Sequence, residues 1–121
     1  MLDHVGVEVA DLGRSAAFYD AVFARLGIRR VFESEAAVAY GSHEPRFWIV
    51  ARGRPPQPGF GHVAIAAAGR AAVEAAHAAG LQHGGTDDGA PGPRPQYGPR
   101  YYAAYLRDPD GLRVEVVAGG H

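Results

Sequence analysis

The sequence of 121 residues contains no cysteine. That excludes disulfides and thiolate metal sites, so any metal has to be held by His, Asp or Glu. Neither sign of charge prevails: 12 basic residues against 13 acidic ones leave a net charge of −1. With no basic run either, neither nucleic acid nor an anionic membrane surface is an expected partner. No apolar stretch approaches the roughly 18 residues of a membrane span, and the N-terminus has no signal-like pattern, so a cytoplasmic protein is expected. The length suits one domain, residues 1–121, with a real core but not two independent ones. Glycine (17) and proline (9) are plentiful, but most of that excess lies in residues 52–61 and 84–99.

What is present is a repeat. His4 to Ala10 reads HVGVEVA, and His62 to Ala68 reads HVAIAAA. A helical pattern follows each phrase. The first is DLGRSAAFYDAVFARLG, with Asp11 placed to cap it and Gly27 to end it. Leu12, Ala16, Tyr19, Val22, Phe23 and Leu26 form its apolar stripe. The second is GRAAVEAAHAAG, for which Gly80 is the expected stop. Strands are expected at Arg29–Glu33, Ala36–Gly41 and Phe47–Ala51. In the second half they are expected from Gln82–His83, at Tyr101–Arg107 and at Leu112–Val117, the last two joined by the turn sequence DPDG. Each half is a strand, a helix and about three strands. Residues 1–53 form one module and 60–118 the other.

Alternation along the strands sorts the side chains. Val5, Val7 and Val9 form an apolar row for the helix side, leaving His4, Gly6 and Glu8 opposite. The second copy sets Val63, Ile65 and Ala67 against His62, Ala64 and Ala66. The last strand sets Leu112, Val114 and Val116 against Arg113, Glu115 and Val117. A lone strand histidine or glutamate is usually a surface residue. A duplicated histidine sharing a face with a carboxylate also suits a divalent metal such as Zn, Ni, Mn or Fe(II), with positions left open for water and substrate.

Together, LDHVGVEVADLGRSAAFYDAVFARLG, GHVAI and YLRDPDGLRVEVV resemble the vicinal oxygen chelate superfamily of glyoxalase I, fosfomycin-resistance enzymes, extradiol dioxygenases and bleomycin-resistance proteins. The resemblance spans essentially the whole chain. It implies an α+β fold of two βαβββ modules, whose curved mixed sheets enclose a cleft and whose helices pack on the outer faces. It implies His4, His62 and Glu115 as ligands of a divalent metal, a small-molecule substrate and a homodimer. It implies a metal-dependent lyase, isomerase or dioxygenase-like enzyme. Tyr105 and Glu8 are the catalytic candidates.

Departures from the family patterns narrow this. Glyoxalase I carries a glutamate ligand on its fourth strand, where this chain has Trp48, and an arginine for glutathione on its first, where this chain has Glu8. A glutathione-dependent glyoxalase I is therefore not expected. No counterpart of the extradiol acid–base histidine is evident, and no cationic set like that of the fosfomycin enzymes stands out. The segment GGTDDGAPGPRPQYGPRYY is expected to fold over the cleft as a lid. Trp48, Arg94, Tyr97, Arg100 and Tyr101 are the substrate-binding candidates. The alternative is a metal-free protein of the bleomycin-resistance kind, sequestering an aromatic or cationic compound in a groove lined by Trp48, Tyr101, Tyr105 and Glu8.

Overall fold

The structure is a computed structural model and describes residues 1–57 and 59–120. The first module is β1 (Val5–Val9), α1 (Leu12–Ala24), β2 (Arg29–Glu33), β3 (Ala37–Gly41) and β4 (Phe47–Ala51). The second is β5 (His62–Ala66), α2 (Arg70–Gln82), β6 (Thr86–Pro93), β7 (Tyr102–Arg107) and β8 (Arg113–Ala118). Each folds into a four-stranded mixed sheet, in the order β1-β4-β3-β2 and β5-β8-β7-β6, with its first strand parallel to its last. The α+β fold expected from the sequence is the one observed.

Local chemistry sets the elements. Asp11 caps α1 by accepting the Arg14 amide at 2.8 Å. Gly27 reverses the chain after α1 at φ 73°. Ala16, Tyr19, Val22 and Phe23 are buried as the helical stripe requires, along with Phe18. They meet Val9, Tyr40, Phe47 and Ile49 of the first sheet and Leu106, Val114 and Val116 of the second in one continuous core. Alternation turns Gly6, Glu8 and Trp48 away from that core on one sheet, and His62, Tyr105 and Glu115 away from it on the other.

Three expectations are corrected. No strand begins at Gln82–His83: Gln82 is the last residue of α2 and His83 its C-cap, and the next strand starts at Thr86. Gly80 does not stop the second helix, which continues to Gln82; the chain reverses at Gly84 instead, at φ 99°. Gly80 is a close-packing position. A Cβ there would lie 2.6 Å from Leu106 Cδ1, 3.1 Å from Val22 and 3.2 Å from Phe18. The Gly- and Pro-rich segment is not mainly a lid: Thr86–Pro93 is the strand β6, paired with β7. As the edge of its sheet it tolerates Pro91 and Pro93, which cannot donate to a ladder, and two register shifts absorb its glycines. Only residues 94–101 remain as a turn, closed by the Arg94 amide donating to the Tyr101 carbonyl at 2.8 Å.

The DPDG hairpin ties the modules together. Asp110, its side chain 6% exposed, accepts from the Ala10 amide, from Arg14 at 2.9 Å and from the Ser15 hydroxyl at 3.3 Å. Asp108 accepts from the Tyr19 hydroxyl at 2.6 Å and from the amides of Asp110 and Leu112. Asp110→Ala strips a carboxylate from a buried hydroxyl and a guanidinium. It is expected to cost about 1–3 kcal/mol, read as a lower urea midpoint, with Asp110→Asn losing less.

Candidate functional site

Parallel pairing of β5 with β8 puts His62 beside Arg113 and Ala64 beside Glu115, and antiparallel pairing of β7 with β8 puts Tyr105 beside Glu115. Small Ala64 opens the face in front of Glu115. His62 Nε2 lies 3.1 Å from Glu115 Oε1, with the imidazole side chain 46% exposed and the carboxylate 2%. The Tyr101 hydroxyl donates to Glu115 Oε2 at 2.5 Å. Both carboxylate oxygens are therefore engaged, one by an imidazole and one by a phenol, and no guanidinium forms a salt bridge to this buried anion among the described residues.

The phenols are held protonated. The hydrogen bond to Glu115, with burial behind it, pushes the Tyr101 pKa up to about 12. Burial, and then the nearby Glu115 charge, raises Tyr105 against the opposing pull of Arg113. Tyr105 thus offers an O–H and not a base. Its ring centroid lies 6.4 Å from that of His62, and the Arg113 guanidinium stacks over it at 4.0 Å. Arg94 approaches the same ring at 5.7 Å, while Tyr97 packs on Tyr101 at 5.4 Å between centroids. Arg100 is exposed.

The remaining expected residues lie elsewhere. His4 precedes β1, its side chain 55% exposed, with Nδ1 2.8 Å from Asp3. Trp48 flanks Gly6 on the helix-free face of the first sheet and packs on Phe32 at 5.2 Å. Glu8 is clamped by Arg54 at 3.1 and 2.9 Å, with Arg52 at 3.5 Å. The hydrogen bond from Arg54 holds its carboxyl below the usual 4.5 despite some desolvation, which makes it a weak base. A cavity of about 600 Å³ opens beside it, walled by Gly6, Arg54, Pro55, Asp110 and Leu112. A second cavity of about 500 Å³ reaches from Leu2, Val5 and Phe47 to His62 and Ile65. Glu115 lines neither.

An imidazole nitrogen and a buried carboxylate oxygen this close can converge on one cation, so the chemistry of the pair fits a divalent metal. The third donor is missing from the group. No set of three His, Asp or Glu comes together among the described residues, and His4 stays with Asp3. Sequence reading did not single out Arg113 as a site residue. The available signal was its alternation with Glu115 along β8.

Paired βαβββ modules with a His–Glu couple on a helix-free sheet face define a protein of the vicinal oxygen chelate fold. The chain belongs to the glyoxalase/bleomycin resistance protein/dioxygenase superfamily, whose family model matches residues 1–116. It is similar in structure to a glyoxalase/bleomycin resistance protein from Albidiferax ferrireducens, at 37% identity and a TM-score of 0.88 over 98% of both chains. It is also similar to a glyoxalase I variant from Zea mays, at 25% identity and a TM-score of 0.72, covering 95% of this chain and 44% of that one. The fold is shared with the fosfomycin resistance protein FosX from Mesorhizobium loti, at 20% identity and a TM-score of 0.72 over 98% of this chain and 92% of that one. No curated protein matches the chain in sequence. No helix among the described residues is long and apolar enough to cross a membrane.

Proposed function

We propose that the protein is a divalent-metal-dependent enzyme acting on a small oxygenated substrate, with His62 and Glu115 of one copy and His4 of a second copy as the ligands. The observation that carries this is the His62–Glu115 couple: a buried carboxylate 3.1 Å from a half-exposed imidazole, with no guanidinium salt-bridged to it among the described residues. Exposed His4 is then the third donor, supplied across a homodimer, which accounts for a set left incomplete in one chain.

When bound, the metal supplies Lewis acidity to an oxyanion or enolate developing on the substrate. The chain's own groups do the rest. Tyr101 fixes the Glu115 carboxylate by its hydrogen bond, as groups behind a ligand commonly do. Tyr105 donates its O–H to a substrate oxygen and orients it. Glu8, with its basicity lowered by Arg54, serves as a polar wall and not as the proton acceptor.

A second reading, metal-free sequestration of an aromatic or cationic compound, draws on the Trp48–Phe32 pair next to Glu8, where Phe32 is 45% exposed. Elemental analysis of untagged protein, incubated with Fe(II), Ni(II), Mn(II) or Zn(II) and then desalted, decides between the two. The enzyme reading expects one of these metals at one equivalent per chain; none retained would sink it.

A further inference from the structure

The cations of the second sheet carry an inference about substrate, and it rests on the metal-site reading above. Cross-strand pairing makes Arg113 the neighbour of His62 on one side and of Arg107 on the other. Asp88 of the edge strand accepts from Arg113 Nε at 2.8 Å and pairs with Arg107 Nε at 3.2 Å. One carboxylate thus serves two guanidiniums. Arg94 donates only to the carbonyls of Ala90 and Pro93, and no carboxylate pairs with it among the described residues. Around Tyr105, then, the three guanidiniums of Arg94, Arg107 and Arg113 face the two carboxylates of Asp88 and Glu115, with one positive charge in excess. A divalent cation on His62 and Glu115 would raise that excess further. The sequence has no lysine, so every one of these charges is a planar fork suited to an oxyanion.

Arg113 is the member built for recognition. Its stack on Tyr105 at 4.0 Å and the bond from Nε to Asp88 fix the plane of the group. Its two terminal nitrogens have no hydrogen-bond partner among the described residues, and its side chain is 34% exposed. That is the arrangement that offers two parallel N–H donors to a ligand without first breaking an ion pair.

We propose that Arg113, supported by Arg94, forms an oxyanion subsite beside His62 and Glu115. The substrate would then carry a carboxylate or phosphonate group next to the oxygen that meets the metal. Asp88 is a positioning residue for Arg113.

The test is calorimetric titration of Zn(II)-loaded protein with three probes of similar size: glycolate, hydroxymethylphosphonate and the neutral glycolamide. At least one anion is expected to bind about tenfold or more tighter than the amide, and the tighter anion identifies the group. Arg113→Leu is expected to bring all three within about threefold of one another, and Arg113→Lys to keep part of the preference, while both still bind one equivalent of zinc. Equal binding of all three by the native chain, or a preference that survives in Arg113→Leu, overturns the subsite. Repeating the titrations on metal-free protein separates this from the metal reading. An Arg113-dependent anion preference there upholds the subsite even if no metal binds, and its absence together with a bound metal sinks the subsite alone.

Discussion

Mixing His4→Ala chains with His62→Ala chains is expected to restore metal sites that neither variant forms alone. In the proposed dimer each site draws His62 and Glu115 from one copy and His4 from the other. A His62→Ala homodimer loses two ligands, one per site, and a His4→Ala homodimer does the same. Removing a group behind a ligand already costs about 10–100-fold in metal affinity, so losing a ligand is expected to cost on the order of 100-fold or more. A mixed dimer concentrates both defects in one site and leaves the other intact. Random pairing of equal amounts should therefore recover about one quarter of the native sites. Metal content after co-refolding and desalting reads this directly. The control is Glu115→Gln mixed with His62→Ala. Both of those residues lie on one module, 3.1 Å apart, so this mixed dimer has one defect in each site and recovers nothing. Recovery with the first pair and none with the second is the signature of a site shared between copies. If the native protein binds a full equivalent and the first mixture recovers none, His4 is not a ligand supplied by a partner.

How far the sequence could be read depended on whether a residue's partner was close along the chain or set by alternation. The cap at Asp11 is local and was legible. The meeting of His62 with Glu115 spans 53 residues; period-two alternation made their facing legible, the family resemblance implied that they share a site, and parallel pairing of the module's end strands brings them together. What escaped depends on how loops and modules fold back. Nothing local indicates that Arg54, in a Pro-rich linker, returns to Glu8. The same holds for Asp110, whose hairpin sequence is readable as a turn but not as an anchor for α1. The strand expected from Gln82–His83 lies further on, as β6, because its own glycines and prolines oppose a strand everywhere except at an edge. His77 is 7% exposed and bonds Asp87 at 2.8 Å, because α2 packs against that strand.

The largest stability effect is expected at Phe18, where the same packing that hides from sequence reading can be tested. Its ring is fully buried and meets Tyr19 edge-on at 4.9 Å. It also occupies space that two glycines vacate. A Cβ on Gly85 would lie 2.4 Å from Phe18 Cε1 and 2.9 Å from its Cδ1, and one on Gly80 would lie 3.2 Å from Cε1. Phe18→Ala leaves a void whose glycine walls have no side chains to collapse into it. The loss should fall at about 3–5 kcal/mol, a large part of the roughly 5–15 kcal/mol typical of a domain. Gly85→Ala alone overpacks the ring and should cost about 1–3 kcal/mol. In the Phe18→Ala background two of its three closest contacts are gone and only the Gly80 carbonyl at 2.9 Å still has to give, so the cost should fall by about 1 kcal/mol without vanishing. Urea unfolding of the four proteins closes the cycle. Strictly additive costs would mean that ring and glycine do not share the space. Coupling in the stated direction means that the Phe18 ring of α1 is seated against the bare backbone that follows α2.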